Sequence, residues 1–143
     1  MLMPDVNVLV YAHREDSQAH VDHAEWLSAL ASGEEPFALS ELVLQGFLRV
    51  VTHPKIFVRP STLDEALAFI DELKGRPTCH LYRPGPRHWD IFVSLCRRGK
   101  ATGGLVADAY HAALAIEHGC EWVTNDTDFA RFPGLRWRLP HQA

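Results

Sequence analysis

Several things are scarce in this chain, and each scarcity removes a class of protein. No apolar run approaches the roughly 20 residues that a bilayer-spanning helix needs, so no membrane segment is expected. The opening residues place Pro4 and Asp5 where a secretory signal would carry a basic and then an apolar stretch. The expectation is therefore a cytoplasmic protein. Cysteine occurs three times, at Cys79, Cys96 and Cys120, an odd number with no CxxC spacing. That argues against a disulfide framework or a thiolate metal site and for free thiols in a reducing compartment. Ser/Gly linkers, internal repeats and low-complexity tracts are absent, so residues 1–143 read as a single domain. Gly103-Gly104 lacks the strand–GxGxxG or GK[ST] context of a phosphate-binding loop.

Positive charge is also scarce overall, with a net charge of −4, but it is unevenly spread. Residues 1–73 hold 4 Lys/Arg against 12 Asp/Glu, whereas residues 74–143 hold 10 against 6. Arg83, Arg87, Arg97, Arg98 and Lys100 crowd one stretch, and Arg131, Arg136 and Arg138 another. Such clusters can steer a phosphate backbone, or simply be a solvated face.

What the chain does have is a hydrophobic fraction of 47%, enough for a sizeable core, cut into alternating short strands and periodic helices. Met1 to Met3, Phe37 to Leu39, Glu121 to Thr124 and Leu135 to Leu139 read as strands. Asn7 to Ala12, His20 to Leu30, Glu41 to Val51, Ser61 to Leu73, Arg87 to Arg98 and Leu105 to His118 read as helices. Ser40 is the expected cap of the third, and Ser61 with Asp64 the expected capping box of the fourth. On the second helix Val21, Ala24, Leu27 and Leu30 form the apolar stripe. The alternation predicts an α/β fold with a mainly parallel sheet covered on both faces. In such sheets the site lies at the carboxyl ends of the strands.

Acids occupy those ends. Asp5 follows the first strand, Glu41 opens the helix after the second, and Asp126 and Asp128 follow the strand ending at Thr124. Asp108 stands one turn into a helix of small apolar residues, Val106, Ala107, Ala109, Ala112 and Ala113, a face suited to close packing. Singly, each acid has an ordinary reading as a cap or a turn residue. Together they would repel one another unless a cation lay between them, and oxygen donors suit Mg²⁺ or Mn²⁺ rather than zinc.

Four ordered motifs resemble those of PIN-domain nucleases. Asp5-Val6-Asn7 is similar to the opening D-x-N. Ser40-Glu41-Leu42 is similar to the second motif, Asp108-Ala109-Tyr110-His111 to the third, and Thr124-Asn125-Asp126-Thr127-Asp128-Phe129 to the fourth. Phe47 to Pro54 resembles a stretch of the VapC-type toxins of actinobacteria. The resemblance implies a PIN-like three-layer α/β/α fold and a Mg²⁺- or Mn²⁺-dependent endoribonuclease, the toxin of a toxin–antitoxin pair. It implies Asp5, Glu41 and Asp108 as core metal ligands, Asp126 as fourth acid and Asp128 as a direct or water-mediated ligand. Asn7 and Ser40 would orient a ligand or the attacking water, and His111 would tune Asp108 or touch phosphate. RNA, a tRNA loop among the candidates, is the implied substrate, and a cognate VapB-like antitoxin and a homodimer are the implied partners. The stripes Trp26/Leu27/Leu30 and Phe47/Val50/Val51 offer either dimer surface or core.

Two other readings compete. A haloacid-dehalogenase-like phosphatase would use Asp5 as nucleophile, but it wants a second Asp two residues on, where this chain has Asn7. A non-catalytic RNA- or protein-binding module would tolerate loss of the acids. His13, His20 and His23 lack the further ligands of a zinc site and read as surface histidines. Of the four tryptophans, Trp89, beside Arg87 and His88, is the one positioned to stack on a base.

Overall fold

The computed structural model describes residues 1–141. Five strands form one sheet: β1 (Leu2–Pro4), β2 (Phe37–Ser40), β3 (Cys79–Tyr82), β4 (Glu121–Val123) and β5 (Trp137–Arg138), in the order β3-β2-β1-β4-β5 with every pairing parallel. Six helices connect them: α1 (Val6–His13), α2 (His20–Ser32), α3 (Glu41–Val51), α4 (Leu63–Lys74), α5 (His88–Arg98) and α6 (Gly104–Glu117). The main helix packing joins α1 with α2 and α3, α3 with α4, and α5 with α6. Right-handed crossovers put α1–α4 on one face and α5–α6 on the other. The chain winds outward from β1 to β3, then returns to lay β4 against the other side of β1. The point where the winding reverses, between β1 and β4, is where open α/β sheets form a ligand crevice.

The inner strands β1, β2 and β4 are short and mostly apolar because both faces are covered. Met3, Phe37, Leu39, Trp122 and Val123 are inaccessible to solvent, and Phe47, Val51, Ala112 and Leu114 close over them from the helices. Strand β3 escapes sequence recognition for a physical reason. It is an edge strand of half-buried and exposed residues, Cys-His-Leu-Tyr, with neither alternation nor a buried run.

Four sequence expectations meet the structure here. The cap of α4 is Thr62, whose hydroxyl accepts the Glu65 amide at 3.1 Å. Ser61 instead turns inward to His13 Nε2 (2.9 Å) and Arg14 Nη1 (3.2 Å), so no Ser61/Asp64 box forms. On α2 the buried face is His23, Leu27 and Ala31, while Val21 is exposed. His13 packs edge-on against Phe47 and Phe69, and His23 is buried, so neither is a surface histidine. Finally, Leu27, Phe47 and Val51 belong to the core, with Trp26, Leu30 and Val50 packed against it. Leu27, Phe47 and Val51 are therefore filled by the chain's own residues, while Trp26, Leu30 and Val50 stay partly exposed. Among the described residues, no helix is long and apolar enough to cross a membrane.

Candidate active site

A cleft of about 940 Å³ opens beyond the carboxyl ends of the strands, lined by Asp5, Asn7, Asp108, His111 and Asp126 on one side and by Tyr11, Arg49, Ile56 and Phe57 on the other. Asp5 is its deepest acid. The residue caps α1, and its Oδ1 accepts the Val6 amide at 2.6 Å. Register brings Pro4 level with Val123, so the next residues on each strand, Asp5 and Thr124, face each other. Thr124 Oγ1 donates to Asp5 Oδ2 at 2.7 Å and accepts the Asp126 amide at 3.0 Å. Asn7 Nδ2 donates to the same Oδ2 at 3.3 Å. Burial pushes the Asp5 carboxyl up to about 6; the hydrogen bonds from Thr124 and Val6 oppose the rise, and the charges of Asp108 and Asp126 add to it.

Asp108 enters from the other side of the crevice. Gly103, at φ +58°, turns the chain into α6 through a conformation that side chains rarely adopt, with no neighbour in the way. Burial raises the Asp108 carboxyl too, followed by the charges of Asp126 and Asp128 and partly offset by Arg131. Val106 and Ala107, expected in a packed face, are exposed and line the cleft. Asp126 caps a short 3-10 helix, Thr127–Arg131, by accepting the Asp128 amide at 2.9 Å. Asp128 is exposed on that turn.

Glu41 stands apart. Its carboxylate meets Arg83 Nε at 2.6 Å in an exposed pair, because β2 and β3 run in register and Glu41 and Arg83 each follow the last paired residue. Ser40 is fully buried, and its hydroxyl is occupied in capping α3, accepting Val43 N–H at 3.2 Å. His111 stacks on Trp122, with Nδ1 buried and unpartnered. Burial, then the nearby His88, lowers it to about 4, so it is neutral at neutral pH.

None of the five basic candidates lines the cleft. Arg83 is held by Glu41, and Arg87 Nη2 donates to the Glu117 carbonyl at 2.9 Å. Arg97, Arg98 and Lys100 are exposed at the far end of α5. The cation that does line the cleft is Arg49, on α3. No site role is expected from sequence for Thr124, Asn125 or His23; in the structure Thr124 hydrogen-bonds Asp5, and Asn125 links His23 to Asn7, which reaches Asp5. The signal available was the position of Thr124 and Asn125 just past a strand end, beside the acids.

As they stand, no three of these acids converge closely enough among the described residues to enclose one ion. The donor set nevertheless fits a hard divalent cation. It is oxygen throughout, and Asp5 is buried beside two further carboxylates while its hydrogen-bond donors are all neutral groups.

A parallel sheet whose winding reverses beside a crevice lined by three carboxylates defines an α/β protein with an acidic cleft at the carboxyl ends of its strands. Comparison with known proteins narrows the class. The PIN domain family matches residues 2–135. Ribonuclease VapC43 of Mycobacterium tuberculosis is 45% identical over 98% of this chain and 95% of its own length. Ribonuclease VapC25 of the same organism is 40% identical over 98% of this chain and 99% of its own. A toxin–antitoxin complex from Klebsiella pneumoniae contains a chain of the same fold, with TM-score 0.67 at 19% identity, covering all of both chains. This chain belongs to the PIN-domain family, among the VapC ribonucleases.

Proposed function

We propose that this protein is a divalent-metal-dependent endoribonuclease acting as the toxin of a toxin–antitoxin pair. The observation that carries the reading is the burial of Asp5 beside Asp108 and Asp126 at the reversal point of the sheet, in a chain 45% identical to a VapC ribonuclease. Asp5, Asp108 and Asp126 would hold Mg²⁺ or Mn²⁺, Glu41 would join them on leaving Arg83, and Asp128 would act through water. When bound, the ion supplies stabilisation of charge on the scissile phosphate and makes a nearby water more acidic. The chain's own residues do the rest. Thr124 and Asn7 orient Asp5, and Arg49 offers a phosphate contact. His111, neutral, presents an uncharged ring where a second cation would compete. A cytoplasmic location, a cognate antitoxin and self-association belong to the same proposal, as does RNA as substrate.

The test is to sequence RNA ends after brief expression in a host, with Asp5→Asn as control. New 5′-phosphate ends in the wild type alone support the reading; matching profiles reject it. Turnover of a small phosphomonoester lost on Asp5→Asn would favour the phosphatase instead.

A further inference from the structure

Outside the acids, a run of hydrogen bonds starts at α2, far from the cleft in sequence, and ends on Asp5. His23 is 4% exposed, edge-on to Tyr11 and His141. Its Nδ1 lies 2.7 Å from the Ala19 carbonyl oxygen. A carbonyl only accepts, so Nδ1 carries a proton, and Nε2, whose nearer neighbour is the Asn125 Nδ2 donor, is an acceptor. That Nε2 lies 2.9 Å from Asn125 Nδ2 and 3.3 Å from Asn125 Oδ1; as an acceptor it takes a hydrogen from the nearer Nδ2, whose second hydrogen goes to Asn7 Oδ1 at 3.1 Å. The Asn125 backbone amide reaches the same Oδ1 at 3.3 Å. Asn7 must then turn its Nδ2 toward Asp5 Oδ2.

The Ala19 carbonyl, at the cap of α2, thus sets the His23 tautomer, which together with the Asn125 backbone amide orients Asn125 and Asn7 and places Asn7 Nδ2 beside Thr124 on Asp5 Oδ2. The consequence is local and specific. Oδ2, which accepts from both Thr124 and Asn7, has its two lone pairs engaged, whereas Oδ1 accepts only from Val6 and keeps one for a ligand. Reversing Asn125 would set two amide oxygens against each other and release Asn7.

We propose that His23 is a positioning residue for the cation site, acting through Asn125 and Asn7 to hold Asp5 with one oxygen atom presented. This rests on the reading of Asp5 as a cation ligand. Supporting residues of this kind change metal affinity by about 10–100-fold when removed.

The test measures Mn²⁺ binding by calorimetry and the Asn7 side-chain amide by NMR in the metal-free protein. The variants are His23→Ala, His23→Gln, Asn125→Ala and Leu27→Ala. Leu27 is buried one turn further along α2 and touches none of these bonds. His23→Ala and Asn125→Ala should weaken Mn²⁺ at least about tenfold and shift the Asn7 amide signal. His23→Gln, whose amide oxygen can accept from Asn125, should recover most of the affinity. Leu27→Ala should lower the melting temperature while leaving both readouts near wild type. Should His23→Ala not fold, Asn125→Ala carries the same comparison. The proposal is overturned if both network variants keep the wild-type amide signal and affinity, or if Leu27→Ala disturbs them equally. If wild type binds no Mn²⁺, or Asp5→Asn binds it as tightly, the metal-site reading fails. The Asn7 signal alone then decides whether His23 orients this network.

Discussion

Asp5 and Glu41 each follow one of two adjacent parallel strands, yet they live in opposite circumstances. Asp5 is 7% exposed and bonded on both oxygens to neutral donors. Glu41 has a half-exposed side chain, and its partner among the described residues is the exposed Arg83. The difference follows from topology. β1 is central and its far neighbour β4 brings Thr124 and Asp126 to the crevice, whereas β2 is flanked by the edge strand β3, whose exit carries an arginine. On the metal-site reading, Asp5 is held ready at a cost in stability, whereas Glu41 would first have to leave Arg83. Each prediction below would sharpen or break that contrast.

The largest effect falls on Asp5. Asp5→Asn should reduce RNA cleavage by more than about a hundredfold, beyond the loss expected for a merely supporting residue. The same change should stabilise the metal-free protein at pH 7. A carboxyl whose folded value is about 6 against 3.8 unfolded costs about 3 kcal/mol when ionised, of which about 1–2 kcal/mol should return, since the Asn amide matches the Thr124 and Asn7 donors less well. Urea denaturation beside a cleavage assay reads both. A destabilised Asp5→Asn would break the contrast from this side.

A second prediction uses pH. Asp5, raised, contributes stability that is present below its unfolded value of 3.8 and is lost as pH rises through about 6. His111, lowered, contributes stability that is full above its unfolded 6.5 and is lost as pH falls through about 4. Over pH 4 to 6 the two opposing slopes, each worth up to about 3 kcal/mol, nearly cancel in their contribution to metal-free wild type. In Asp5→Asn stability should fall on acidification over that range, and in His111→Gln it should rise. Equal slopes in the two variants would refute the assignment.

Third, Mg²⁺ at a hundredfold its dissociation constant should stabilise the wild type by about 2.7 kcal/mol and leave Asp5→Asn nearly unmoved. Thermal melts with and without the ion decide it; a matching shift in Asp5→Asn would place the ion elsewhere.

What the sequence made legible follows the same divide. Burial writes the strong signals: the apolar period and the Ser40 cap mark α3 from Glu41 to Val51, and the five acids stand at or near strand ends and helix starts, each after a simple chain feature. Edge strand β3 was lost because half-exposure erases the pattern that burial writes. His23 was misread because a buried histidine and a surface one look alike until the partner, Asn125, is brought from a hundred residues away. Pairing of Glu41 with Arg83 was equally invisible, since it depends on the register of the very strand that was missed.

The smallest effect tests the parked acid. Arg83 and Glu41 are both well exposed, so their bond should contribute less than about 1 kcal/mol to stability despite its 2.6 Å length. Arg83→Ala should therefore leave the melting temperature close to wild type. Its effect should appear in ligation, because a cation approaching Glu41 has to displace the guanidinium, and removing that competitor lowers the cost of rotating the carboxylate toward Asp5. Mn²⁺ affinity should rise by about two- to fivefold, an amount set by the upper limit on an exposed pair. Arg83→Lys, which keeps the charge but loses the planar guanidinium, should fall between. Weaker Mn²⁺ binding in Arg83→Ala would mean that Arg83 holds Glu41 in place for the ion, and the two acids would then differ only in exposure.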